Sequence, residues 1–281
     1  MRFLLFLAAF FMTSGTANVG RVDLNLMENE LAFTFFNLSD GEATLIQDAG
    51  HNVLINTGNK SAREELFQRL KVYGVTDLDK LILTNSSAVY TGNVEAVIKK
   101  YHVRTVISSK AILEQLDRNF NLPHTDIWKP GKTAEILQGL QSVVLFEKQP
   151  DEIDGEASLT VRFQFGTEKV LYMGTADPEM EKQLAGNPLV DCDILKVGDF
   201  ALDREMNTRF LEKVNPQVAI LFHRKGRLPG KKTLEKLDTV WIDVYRTHQI
   251  GTISIKFNSH SYQVIPIPIE KEDALDFTRL Y

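Results

Sequence analysis

A single cysteine, Cys192, excludes any intramolecular disulfide from this chain of 281 residues. It stands in "DCDILKV", just ahead of an apolar run, where a packed thiol fits better than a reactive one. Long apolar runs are also scarce. After residue 12 none has the length of a membrane span, so no transmembrane segment is expected beyond the N-terminus. No low-complexity linker divides the chain. The six histidines (His51, His102, His124, His223, His248 and His260) form no H-x-H or H-E-x-x-H pattern, so the common zinc signatures are missing. Cations do not dominate either: 32 Lys and Arg stand against 37 Asp and Glu, a formal net charge of −5. That balance excludes a phosphate grip over the whole surface but leaves room for one basic patch. With 43% apolar and 25% charged residues, the core needs no disulfide or structural metal.

What is present begins with "MRFLLFLAAFFM", one Arg followed by an apolar run from Phe3 to Met12. Small residues follow, with Gly15 and Ala17 at A-x-A-like positions. A basic start, a short apolar stretch and small residues are the three parts of a secretory signal. Residues 1–17 are therefore expected to be a signal peptide, and residues 18–281 one exported, secreted domain. An uncleaved N-terminal membrane anchor is the alternative. Loss of Arg2 with the signal would make the formal charge one unit more negative.

From residue 31 strands come first. "LAFTFFNL", "ATLIQDAG" and "NVLINTG" are short, rich in β-formers and separated by turn residues. A helix fits "SAREELFQRLKVYG", with Ser61 as N-cap, Glu64 completing a capping box and Gly74 past the end. "LDKLILT", "NVEAVIKKYH" and "VRTVIS" continue as strand, helix and strand. "KAILEQLDRNF" has helical spacing, "NLPHTD" and "KPGK" are turn-prone, and "QSVVLFEK" is apolar. "SLTVRFQFG" with "KVLYMGT" then forms a hairpin, and "DILKV" is a buried strand. "MNTRFLEKVNP" and "KKTLEKL" are helices, "QVAILF" and "VWIDVYRT" strands, and "GTISIKFN" with "SYQVIPI" a closing hairpin. Two halves of similar content suit two mixed sheets packed face to face, with helices on both outer faces: an α/β (α+β) fold of four layers, αββα.

"LILTNSSAVYTGN", Leu81 to Asn93, runs from a buried strand into a loop that opens a helix. Chemistry commonly sits at such a place in α/β enzymes, yet this loop carries no carboxylate, imidazole or thiol. The chain resembles the metallo-β-lactamase fold family, and within it the hydrolase-like domain of the ComEC competence (DNA-uptake) family. The resemblance rests on "FFNLSDGEATLI", "LINTG", "LILTNSSAVYTGN", "SLTVRFQFG", "LYMGTAD", "LKVGDFAL", "RLP" and "YRTHQIGTISI". It runs in order from about Phe33 to Ile255, and it implies the αββα sandwich.

The resemblance also defines a loss. The family's His-x-His-x-Asp-His run supplies metal ligands, which here become Asn85, Ser87, Val89 and Tyr90. Its bridging Asp becomes Thr175, its two consecutive His become Asp199 and Phe200, and the His of its "GHP" becomes Leu228. The supporting Asp of its "LIDTG" is Asn56, and Glu42 stands where its "GQGDA" has Asp. Family catalysis uses hydroxide generated on zinc or manganese. Asp199 alone cannot rebuild such a ligand set, so no metal or other cofactor is expected, and a dry, partly filled cleft is.

Outside those positions, His223 follows the strand "QVAILF" and is a candidate for a general base, oriented by Asp199 or Asp177; Asp199 and Tyr90 complete the candidate catalytic set. No G-x-S-x-G elbow frames Ser86 or Ser87. "HRKGRLPGKK", residues 223–232, concentrates Arg224, Lys225, Arg227, Lys231 and Lys232 in a loop kept open by Gly226, Pro229 and Gly230. It reads as a solvated turn or an anion-binding patch. Two functions follow: a metal-free binding or scaffolding pseudoenzyme, whose partner is an anionic polymer, nucleic acid or protein, or a residual or relocated phosphodiesterase- or nuclease-like hydrolase.

Overall fold

The computed structural model describes residues 21–116, 121–150 and 155–268. The expected signal peptide lies outside them. Chain order opens with strands β1 (Leu31–Phe35), β2 (Thr44–Gln47) and β3 (Asn52–Ile55), then helix α1 (Arg63–Val72). Strand β4 (Lys80–Ile82), helices α2 (Ala88–Thr91) and α3 (Val94–Lys100), strand β5 (Thr105–Ser108) and helix α4 (Lys110–Glu114) follow. Five strands come next: β6 (His124–Ile127), β7 (Thr133–Leu137), β8 (Leu140–Lys148), β9 (Ser158–Phe165) and β10 (Glu168–Met173). Helix α5 (Pro178–Leu184), strand β11 (Ile194–Lys196), helix α6 (Thr208–Val214) and strand β12 (Val218–Leu221) continue the alternation. Helix α7 (Lys231–Thr239), strand β13 (Asp243–Arg246), helix α8 (Thr247–Ile250) and strands β14 (Thr252–Phe257) and β15 (Tyr262–Ile267) close it.

Eight strands pair in the order β15-β14-β1-β2-β3-β4-β5-β6, and seven in the order β13-β12-β11-β10-β9-β8-β7. Both sheets are mixed: hairpins give antiparallel neighbours, and helix crossovers give parallel ones such as β3–β4–β5 and β10–β11–β12–β13. Period-two alternation explains the layers. In the second sheet Val170, Tyr172, Ile194, Val218 and Ile220 belong to the core shared with the first sheet, while Leu171, Met173, Leu195, Ala219 and Leu221 pack with helix residues such as Met180, Phe210 and Leu237. Aromatic edges join the sheets, Phe33 against Phe163 at 5.6 Å and Phe35 against Phe222 at 6.0 Å between ring centroids. Cys192 is buried in the outer core of the second sheet.

Several local expectations are corrected. The cap ahead of α1 is Asn59, whose side chain accepts from Ser61 N–H, because Lys60–Ala62 form a 3-10 turn before the helix proper. "NLPHTD" contributes His124–Asp126 to the edge strand β6, and a second strand, β7, fills Thr133–Leu137. The basic loop stops at Gly230, which caps α7, so Lys231 and Lys232 belong to the helix read in "KKTLEKL" and not to the loop, and Lys231 pairs with Glu235 at 3.4 Å. Strand β13 begins only at Asp243, because α7 ends in a turn that holds Val240 and Trp241.

Candidate functional site

The carboxyl ends of β4, β10, β11 and β12 meet where the resemblance locates the lost metal site. Lys196 is the last residue of β11 and shares its inward face with Ile194, which drives the side chain between the sheets. Its ammonium meets Glu42 at 2.6 Å, and both side chains are fully buried. The Lys196 Nζ also donates to the Met173 carbonyl at 2.8 Å and lies 4.6 Å from the Tyr172 ring centroid. Glu42 Oε1 accepts from Asn56 Nδ2 at 2.8 Å and from the Tyr172 hydroxyl at 3.2 Å. Burial pushes the Glu42 carboxyl up and the Lys196 ammonium down, and each partner opposes the other's shift. Asn56 is saturated too: Nδ2 donates again to Thr84 Oγ1, and Oδ1 accepts from Thr84 N–H at 2.9 Å. The loop carrying Glu42 needs Gly41, whose φ is +90° and whose added Cβ would stand 2.3 Å from the Val89 carbonyl oxygen.

Above this floor the positions aligned with the family's ligands bond to one another and to nearby backbone. Asn85 Nδ2 donates to the Gly174 carbonyl at 2.8 Å, and Asn85 Oδ1 accepts from Ser87 N–H at 2.8 Å. Val89 is buried, at 5% exposure. Asp199 Oδ2 accepts from Thr175 Oγ1 at 3.0 Å and from Ala176 N–H at 2.6 Å, while Oδ1 accepts from the Tyr90 hydroxyl at 3.3 Å. The Phe200 ring tilts onto Tyr90 with centroids 5.4 Å apart. Burial, then the nearby Asp199 carboxylate, pushes the Tyr90 hydroxyl well above the ordinary tyrosine value, so it stays a neutral donor. Asp199, Phe200 and Ala201 all have positive φ, 46°, 56° and 54°. A left-handed turn of three non-glycine residues is strained. It is held by the Asp199 bonds and by Gly230 N–H donating to the Ala201 carbonyl at 2.6 Å.

This donor set does not fit zinc or manganese. Amide, hydroxyl and aromatic groups occupy the aligned positions, and the one carboxylate already accepts three hydrogen bonds. Among the described residues no group of three or more His, Cys, Asp or Glu side chains could hold an ion. Leu228, aligned with a family ligand, is 82% exposed.

The proposed general base is placed differently from expectation. No hydrogen bond joins His223 to Asp199 or Asp177; Asp177 instead caps α5 by accepting from Met180 N–H at 2.9 Å. The His223 ring faces His248, centroids 5.1 Å apart, and the Nδ1 of each is buried without a hydrogen-bond partner. Burial, His223 and Arg246 together hold the His248 imidazole below its ordinary value. Ser86 Oγ accepts from Ala157 N–H at 2.9 Å. The basic segment forms a tight turn: Arg224 and Arg227 bridge across Lys225 and Gly226, whose φ is +75°. The Arg224 guanidinium lies 6.0 Å from the Phe200 ring centroid, beside the filled cleft. Sequence reasoning passed over Lys196 as a functional position. Its signal was a lone cation inside the apolar "DILKV", on the inward phase of the strand.

No protein-family model matches the chain. In sequence it is 26% identical over 221 residues to ComE operon protein 3 of Bacillus subtilis (strain 168), a match covering 73% of this chain and 28% of that protein. The chain thus spans little more than a quarter of the curated relative's length. In structure it is similar to the metallo-β-lactamase fold protein YhfI from Bacillus subtilis, with TM-score 0.59 and 13% identity over 84% of this chain and 100% of that one. It is also similar to Igni18, a metallo hydrolase from the hyperthermophilic archaeon Ignicoccus hospitalis, with TM-score 0.54 and 12% identity over 85% of this chain and 99% of that one. Two mixed sheets face to face, helices outside them and these likenesses give the chain the metallo-β-lactamase fold, with its sequence likeness to a ComE operon protein.

Proposed function

We propose that this chain is an exported pseudoenzyme of the metallo-β-lactamase fold that binds a phosphate-rich polymer at the rim of its former metal cleft. The observation that carries the reading is the filled site: Asp199, bonded to Tyr90, Thr175 and Ala176 under the Phe200 ring, takes the place of a ligand sphere. Beside it the turn Arg224–Arg227 offers three cations, and the sequence likeness to a ComE operon protein makes DNA the first polymer to try. Secretion follows from the apolar N-terminal segment and its small residues. Among the described residues no helix is long and apolar enough to cross a membrane.

The contact is electrostatic and independent of base sequence, because phosphate neutralisation carries no sequence information. A polarisation titration of labelled DNA, RNA and polyphosphate at several salt concentrations tests it. Wild-type affinity should fall linearly with salt on a log–log plot. Arg224, Lys225 and Arg227 changed together to Ala should lower the slope by about 2 to 3. Absence of salt-sensitive binding in the wild type would leave the turn merely solvated and favour a protein partner. Chelator-sensitive phosphodiesterase turnover would restore the hydrolase alternative.

A further inference from the structure

At the other end of the second sheet, where β11, β12 and β13 begin, a cleft of about 450 Å³ opens between the strand starts and the ends of α6 and α7. Trp241 stands on its lip and is 95% exposed. Its backbone is left-handed, φ 59°, just past the end of α7, where its N–H donates to the Asp238 carbonyl at 3.0 Å. Glycine is the residue such a helix-end position favours, and a bulky side chain there is an outlier. The chain therefore holds one of its two tryptophans in water, on a backbone that disfavours it. An outlier of that kind at the mouth of a cleft points to use.

The cleft also has a sign. Asp191 is occupied by Lys169 and Arg162. Asp193 accepts only from the Lys169 backbone N–H, at 2.8 Å, and neither it nor Asp243 pairs with a cation among the described residues. Tyr262, whose hydroxyl donates to Gln217 at 3.2 Å, has its pKa pushed up to about 12, by burial first and then by Asp193, Glu168 and Asp243. The last carbonyls of α7 add partial negative charge on the same side. An anionic ligand would be repelled here. A divalent metal ion would gain nothing from the indole and lacks a cluster of three ligating groups.

We propose that this cleft binds an organic cation, an ammonium or guanidinium group lying on the Trp241 ring with Asp193 and Asp243 meeting its charge. The group comes either from a free polyamine or from a Lys or Arg side chain of a peptide. The site is independent of the basic turn, which lies at the opposite ends of these parallel strands.

Tryptophan emission of the full chain reads the site, because the other tryptophan, Trp128, is 1% exposed. The probes are spermidine, an arginine-containing peptide, an acidic peptide and glucose. Saturable change is expected with spermidine, the arginine peptide or both, and the responding probe identifies the source. Asp243→Asn, at an exposed side chain, should weaken that binding by about two- to fivefold. Trp241→Leu, followed by calorimetry, should weaken it by a similar factor. No saturable response to either cation would overturn the proposal. So would an equal response to glucose or the acidic peptide, or unchanged affinity in both variants.

Discussion

The two ends of the second sheet use the same residue types in opposite ways. At the carboxyl ends of β10 and β11, Glu42 and Asp199 are carboxylates enclosed by donors: a lysine, an asparagine, two tyrosines, a threonine and a backbone N–H. At the amino ends of β11 and β13, Asp193 and Asp243 line a cleft whose Lys169 is taken up by Asp191, and among the described residues neither of them pairs with a cation; Trp241 beside them is exposed. The positions aligned with the family's metal ligands therefore leave no hole in this fold. Buried polar groups without an ion must find other partners or be replaced by apolar ones, since an unmatched buried polar group costs stability. Tyr90, Phe200 and Asp199 do both. The open end carries no such constraint, because water satisfies its carboxylates.

Breaking the closed end should have the largest effect. Lys196→Met leaves Glu42 buried without a cation and should lower unfolding free energy by about 3–5 kcal/mol in urea titrations. The double variant Glu42→Gln with Lys196→Met should lose clearly less than the single, since a well-packed neutral replacement removes the unpaired charge. Equal losses would mean that the unpaired Glu42 charge is not what destabilises the single variant.

A direct contrast between the ends follows. Asp199→Asn puts a donor against the Tyr90 and Thr175 hydroxyls and the Ala176 N–H and should cost about 1–3 kcal/mol. Asp243→Asn should stay within about 0.5 kcal/mol of wild type. Similar values for the two would erase the distinction between a filled site and an open one.

Much of this was legible in sequence. Continuous apolar runs in "QVAILF" and "KVLYMGT" marked buried strands, and the ordered motifs implied the αββα layers. The resemblance pointed to Tyr90, Thr175, Asp199 and Phe200, which the structure brings together. What filled it was not legible, because hydrogen bonds from Tyr90 and Thr175 to Asp199 join residues 109 and 24 positions apart. Edge strands β6 and β7 were missed since their burial is partial and their sequences lack alternation. "VWIDVYRT" reads as a strand by composition, but the turn ending α7 takes Val240 and Trp241 out of it. Tertiary context overrode propensity there.

A smaller effect is expected from pH. His248 has its folded value held below the ordinary 6.5 by burial, His223 and Arg246. The folded state then binds fewer protons than the unfolded one, so stability is present above the unfolded value and declines as pH falls through it. Urea midpoints between neutral pH and about pH 5 should show the decline, and His248→Gln should flatten it. A wild-type profile that rises on acidification would contradict a His248 imidazole held below its ordinary value.

Metal affinity tests the filled site most directly. Zinc and manganese are titrated calorimetrically into purified wild-type chain and into Asp199→Ala, with elemental analysis of the material as isolated. The expected result is substoichiometric metal on isolation and no saturable binding that depends on Asp199. A stoichiometric ion bound by wild type and lost in Asp199→Ala would contradict it, and would return the cleft to metal chemistry.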